Sequence, residues 1–141
     1  MIRRYLLGGT PNRGATDLGL LLLRLFAGLA LALAHGMGKI PPSEGFIGRV
    51  AGMGIPAPVF FAWMAGLAEF GGGLLLAIGL LTRPVSLLLI FHFTFVALVA
   101  HVGDPFRARE LAIFFLFTAV LYLLSGGGRY SVDGLLRGWR P

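Results

Sequence analysis

Five ionisable side chains stand inside stretches that are otherwise apolar. Arg24 sits in LLLRLFAGLALALAHG, Glu69 in WMAGLAEFGGGLLL and His92 in LLLIFHFTFVALVA, while His35 and His101 stand near the ends of theirs. A guanidinium, a carboxylate and an imidazole supply a fixed cation, an anion and a group that changes charge near neutral pH. Such a set suits binding of a polar ligand, a quinone or a moving proton. Counted at about 1.5 Å per residue from the side that carries the N-terminus, Arg24 lies roughly 10 Å deep, His92 about 12 Å and Glu69 about 18 Å. An extended arginine spans that offset, so the count predicts a buried cluster of Arg24, Glu69 and His92. An Arg–Glu pair of this kind also serves simply to hold two helices in register, with His92 as a hydrogen-bonded neighbour.

A second polar group collects toward the opposite side: His35, Lys39, His101 and Glu110, with Asp104 and Arg109 nearby. Two histidines and two carboxylates are metal-ligand types, but no tight spacing among them fits a metal site, so no metal is expected and a polar mouth is the simpler reading. Trp63 shares one helical face with Gly66, Glu69 and Gly73, because spacings of three and four stay on one side of a helix. It suits either the wall of a cofactor pocket or an anchor at the membrane interface.

These residues owe their interest to what surrounds them. Of 141 residues, 57% are hydrophobic and 13% charged, against roughly a quarter charged in a soluble domain. A small globule cannot hide so much apolar surface. Four segments approach or exceed the length that crosses a bilayer: 15–38, 57–81, 84–102 and 108–126. Breakers fall between them at Pro41-Pro42, Pro56, Pro58, Thr82-Arg83-Pro84 and Gly103-Asp104-Pro105. The reading is an all-α, integral membrane four-helix bundle, antiparallel, in one domain over 1–141. The very short link at 82–84 makes the second and third spans an antiparallel hairpin. In the long connection 39–56, Phe46, Ile47, Val50 and Met53 recur at helical spacing, as a short interfacial helix requires; a plain loop is the alternative.

Charge sets the orientation. If the spans alternate, one side holds Arg3, Arg4, Arg13, Arg83, Arg129, Arg137 and Arg140, and the other Lys39, Arg49, Arg107 and Arg109. The positive-inside tendency then places both termini in the cytoplasm. The scattered basic residues form no stripe for nucleic acid. The start of the chain has features of a cleavable signal peptide, but Arg24 interrupts its apolar core, so an uncleaved first span is expected. No cysteine is present, which excludes disulfides, cysteine-ligated iron–sulfur clusters and thiol redox chemistry within the chain. The many glycines sit in apolar runs, as with Gly71, Gly72 and Gly73, where they allow close helix approach. The last span is rich in aromatics, Phe114, Phe115, Phe117 and Tyr122, with Thr118 as its one interior hydroxyl.

The residues HGMGKI at 35–40, EFGGGLLLAIGLLTR at 69–83, Glu110, and GGRYSVDGLL at 127–136 give the chain a recognisable pattern. It resembles the DoxX family of small bacterial membrane proteins over nearly its whole length. The resemblance implies a multi-pass four-helix bundle in the bacterial inner (plasma) membrane. Some relatives belong to membrane oxidoreductase complexes, including thiosulfate:quinone oxidoreduction and a mycobacterial assembly with superoxide dismutase and a sulfurtransferase. The pattern carries His35, Lys39, Glu69, Arg83, Glu110, Arg129, Tyr130, Ser131 and Asp133, whereas Arg24 and His92 rest on depth. Within the tail motif, Arg129 and Asp133 are four apart and suited to pair on a helix, Ser131 to cap it, and Tyr130 to anchor at the interface.

Three functions compete on this reading. The first is a quinone-linked subunit of an oxidoreductase, with a partner protein supplying electrons. The second is a small-molecule transporter subunit, which with four helices needs an oligomer or a partner. The third is a structural or scaffold subunit of a membrane complex.

Overall fold

The computed structural model describes residues 12–138, and within them the chain forms four long apolar helices and two short ones. Helix α1 spans Arg13–Leu29, started by Asn12, whose side chain accepts the Gly14 amide at 3.0 Å. It continues through a π-helical stretch, Ala30–Gly36, and a 3-10 turn, Met37–Lys39, so that the whole apolar rod runs 27 residues. Helix α2, Glu44–Gly52, lies in the long connection; Ser43 caps it by accepting the Phe46 amide at 3.2 Å. This is the helix that the spacing of Phe46, Ile47, Val50 and Met53 predicts, ending one residue short so that Met53 is its C-cap, and Val50 is its buried residue.

Helix α3, Pro58–Ile78, opens with proline, whose missing N–H costs nothing in a first turn, and ends at Gly79 in the left-handed conformation (φ 71°). Helix α4 covers Thr82–Phe95 and runs on as a π-helical stretch, Val96–Ala100. Helix α5 is Phe106–Ser125 and α6 is Val132–Gly138. The four long rods, of 27, 21, 19 and 20 residues, match the roughly 20 residues needed to cross hydrocarbon.

The surface bears out a membrane solvent. Phe26, Phe91 and Leu124 are 70% or more exposed, while Arg24, Glu69, Thr82, Ser86 and Thr118 are buried. Side chains that a soluble fold would hide face outward, where lipid covers them. Lipid tails are as apolar as leucine, so helices associate by close packing and interhelical polar contacts. Gly28 and Gly73 show how close: a Cβ on Gly28 would lie 2.6 Å from the Gly73 carbonyl and 2.7 Å from the Ala77 amide. Farther along, Gly36 meets the backbone of Phe70 and Lys39 packs on Gly66. Helix α4 packs against both α3 and α5, with Phe93 and Phe115 stacked at 5.2 Å and 22°.

Candidate functional site

Glu69 stands near the middle of α3, about 16 Å from its start at the usual helical rise, with 4% of its side chain exposed. Three neighbouring small residues, Gly66, Ala68 and Gly72, are buried on the same helix and let adjacent elements come close. Into that space Lys39 enters from the end of α1. Its ammonium donates to both carboxylate oxygens at 2.6 Å, and His92 of α4 reaches Oε1 through Nε2 at 2.9 Å. Three helices thus meet on one carboxylate. The Lys39 side chain is 30% exposed and that of His92 11%, so the trio grades from a nearly dry carboxylate to a partly accessible ammonium.

The surroundings are aromatic. The His92 ring meets Phe93 edge to face at 5.0 Å, and Phe93 stacks on Phe115. His35 lies edge to face with the other side of this group, 5.8 Å from Phe115. Phe46 of α2 lies 5.5 Å from the Lys39 ammonium at the end of α1 and 5.6 Å from the guanidinium of Arg49 on its own helix, and the first of these contacts joins α2 to α1. Cation–π attraction of this kind helps to hold α2 across the end of the bundle.

Arg24 is not part of this cluster, contrary to the depth count. Its guanidinium turns the other way and donates to Ala77 O at 3.1 Å, Gly127 O at 2.7 Å and Tyr130 O at 2.9 Å. The reason is local. Ala77 lies in the last turn of α3, where carbonyls lack intrahelical partners, and the loop after α5 brings two more carbonyls to the same place. Ala77 is eight residues from Glu69, about 12 Å along the helix. The fork of arginine suits three planar acceptors better than a distant carboxylate.

The expected Arg129–Asp133 pair also gives way to another arrangement. Asp133 accepts the Leu81 amide at 2.9 Å through Oδ1 and the Thr82 amide at 2.8 Å through Oδ2, and its own amide donates to Gly79 O at 2.9 Å. The Arg129 amide donates to Asp17 at 3.1 Å. Ser131 does cap the tail helix, accepting the Gly134 amide at 2.9 Å while donating to Gly128 O at 2.7 Å. Burial pushes the Asp133 carboxyl up, but the Thr82 hydroxyl nearby, the Thr82 and Leu81 amides and the charge of Arg137 more than offset this and hold it below the ordinary aspartate value. The tail is therefore a latch that closes the ends of α3, α4 and α5. Tyr122, fully buried, adds a bond that its aromatic neighbours gave no hint of, donating to Leu20 O at 2.6 Å.

The outer polar residues do not gather into one site. His101 pairs with Asp104 at 2.9 Å on an exposed turn, Glu110 is exposed, and His35 packs on Phe115. Lys39 alone of that group joins the buried carboxylate. Trp63, 38% exposed, and Tyr130, 50% exposed, stand on the outer surface. Among the described residues, no three side chains of metal-ligand type come together.

Residues 19–102 match the family model DoxX. The chain belongs to the DoxX family. The matched stretch contains Lys39, Glu69 and His92, together with His35 and Arg24, and ends before the tail latch. Among curated proteins, the chain is 29% identical to "Putative oxidoreductase CatD" of Bacillus subtilis over 83% of its length and 86% of that protein. It is 31% identical to the inner membrane protein YqjF of Escherichia coli over 85% of its length and 93% of that protein. It is 30% identical to the inner membrane protein YphA of the same organism over 62% and 63%. No solved structure matches the chain significantly. Family membership and the four apolar helices together make this a multi-pass protein of the bacterial inner (plasma) membrane.

Proposed function

We propose that this protein is the membrane subunit of a quinone-linked oxidoreductase system, with Glu69, Lys39 and His92 as its quinone-facing, proton-handling site. The observation that carries this reading is a carboxylate 4% exposed near mid-span, bridged by an ammonium and an imidazole from two other helices. A charge at that depth costs at least about 2.5–3.5 kcal/mol on insertion scales, and one helix-to-helix contact can be made more cheaply with apolar side chains. Resemblance to a relative named as an oxidoreductase supports the same reading.

The residues fit the group. Glu69 takes two of the three ammonium hydrogens of Lys39 and one imidazole nitrogen, leaving the third hydrogen and His92 Nδ1 outside these bonds for the oxygen of a ring carbonyl. Phe93 and Phe115, buried and stacked on each other, make an apolar wall beside His92. A bound quinone supplies a two-electron, two-proton couple in the membrane. Lys39 then orients and polarises an oxygen, and His92 holds or hands on a proton at Nδ1. Glu69, fixed on Nε2, stabilises the imidazolium and sets the ring orientation. The chain has no cysteine, so electrons come from a partner protein.

The bundle is read as antiparallel with both termini in the cytoplasm. The excess of basic residues on that side rests on Arg3, Arg4 and Arg140, which lie outside the described residues; on the other side Lys39 is already matched by Glu69. A reporter fused to the C-terminus should be active only in the cytoplasm.

The function is tested by titrating a ubiquinone or menaquinone analogue into protein in lipid nanodiscs. Saturable binding is expected, weakened tenfold or more in His92→Ala and in Glu69→Gln, while both variants keep their helical content. Absence of saturable binding, or binding unaltered in both variants, rules the site out.

A further inference from the structure

A second site lies at the other end of the bundle. A surface depression of about 460 Å³ is bounded by Leu81, Arg83, Pro84, Gly127, Asp133 and Arg137. It sits where the turn between α3 and α4 meets the tail helix, at the ends of apolar rods and so at the level of lipid headgroups. We propose that this depression binds the phosphate of an anionic phospholipid.

Three features carry the assignment. First, the charge around the depression is cationic in effect. Arg83 and Arg137 are exposed, and each is steadied by one bond to a carbonyl, Arg83 to Leu124 at 3.3 Å and Arg137 to Asp133 at 3.2 Å. Asp133 is the one carboxylate of the lining, and its two oxygens are taken by the Leu81 and Thr82 amides. Second, a guanidinium pair matches the geometry of phosphate oxygens, which arginine binds in a fork. Third, the rim is apolar: Leu81 is 55% and Leu136 62% exposed. Leucines beside a pair of arginines suit a headgroup whose acyl chains continue into the bilayer, and basic recesses between membrane helices are suited to anionic lipid. Free phosphate shares the first two features and not the third.

The site is separate from the quinone site, since Glu69 lies nine residues, about 14 Å at the usual helical rise, before the end of α3 at Ile78. It gives the tail latch a consequence beyond folding, since Arg137 and Asp133 belong to both. Lipid in the depression ties the tail to the turn at 81–84.

Native mass spectrometry of protein released from vesicles of equal phosphatidylglycerol and phosphatidylcholine tests the proposal. Wild type should retain phosphatidylglycerol preferentially. The preference should fall roughly fivefold for each guanidinium removed, from about 1 kcal/mol per basic residue near a charged surface, in Arg83→Gln and in Arg137→Gln. Arg107→Gln, at the opposite end, should keep it. Among the described residues Arg137 bonds only within its own short helix, so its variant is expected to fold even if Arg83→Gln does not. Inorganic phosphate at millimolar concentration should leave the lipid bound. Equal retention of the two lipids by wild type, an unchanged preference in Arg137→Gln, or saturable binding of inorganic phosphate without lipid preference would each overturn the proposal.

Discussion

Arg24→Met is the substitution that best separates a structural cation from a functional one. The side chain is 1% exposed and its three hydrogen bonds all end on backbone carbonyls. Each bond from a charged donor contributes about 1.5–3 kcal/mol, or roughly 4.5–9 kcal/mol for three. Removing the cation from hydrocarbon returns about 2.5–3.5 kcal/mol. The net loss is centred on about 3–4 kcal/mol, since methionine fills the space but leaves three carbonyls unpaired. In a chain of this size the unfolding midpoint should drop on the order of 10 °C. The loss is also local: Gly127 and Tyr130 are released, so the exposed Arg129 should become open to trypsin while the helices stay folded. Arg24→Lys keeps the charge but lacks the fork, and should retain only part of the protection. Circular dichroism melts in nanodiscs and timed trypsin digestion measure the two effects, and quinone titration should show unchanged affinity. A wild-type melt together with wild-type tail protection in Arg24→Met would refute the latch.

The same contacts set further outcomes. The folded pKa of Asp133 is depressed, so its contribution is present above the ordinary aspartate value of about 3.9 and is lost as pH falls through the lower folded value. Protection of the Leu81 and Thr82 amides, taken relative to their intrinsic exchange rates, should therefore hold at neutral pH and fall only once pH drops below the ordinary aspartate range, and in Asp133→Ala it should be low throughout. Gly73→Ala should disrupt assembly, because its Cβ would lie 2.7 Å from the Gly28 carbonyl; Gly71→Ala meets nothing within 4 Å and should be neutral or stabilising by up to about 1 kcal/mol in a thermal melt. Tyr122→Phe removes the bond to Leu20 with little change in volume and should lower stability by about 1–2 kcal/mol in the same assay, with the tail still latched.

The sequence by itself determined the solvent and the spans. Long apolar runs have one economical solution in hydrocarbon, because a helix satisfies its own backbone, and the breakers at Pro58 and Pro105 mark the starts of two of them whatever the helices pack against. It also singled out Glu69 and His92, since the cost of burying such groups makes them visible in one dimension. Which cation meets Glu69 was decided by the tertiary structure. Arg24 lay within reach by depth alone, but depth says nothing of azimuth, and the π-helical stretch at Ala30–Gly36 changes the phase of the residues beyond it, Lys39 included. Nor could counting supply the acceptors that draw Arg24 away, for the carbonyls of Gly127 and Tyr130 are more than a hundred residues distant in the chain. The three successive glycines 71–73 look alike in the sequence, yet only the approach of α1 makes Gly73 indispensable and leaves Gly71 free to vary. Residue chemistry fixed what had to be compensated in the membrane, and the packing of helices chose the compensating partners.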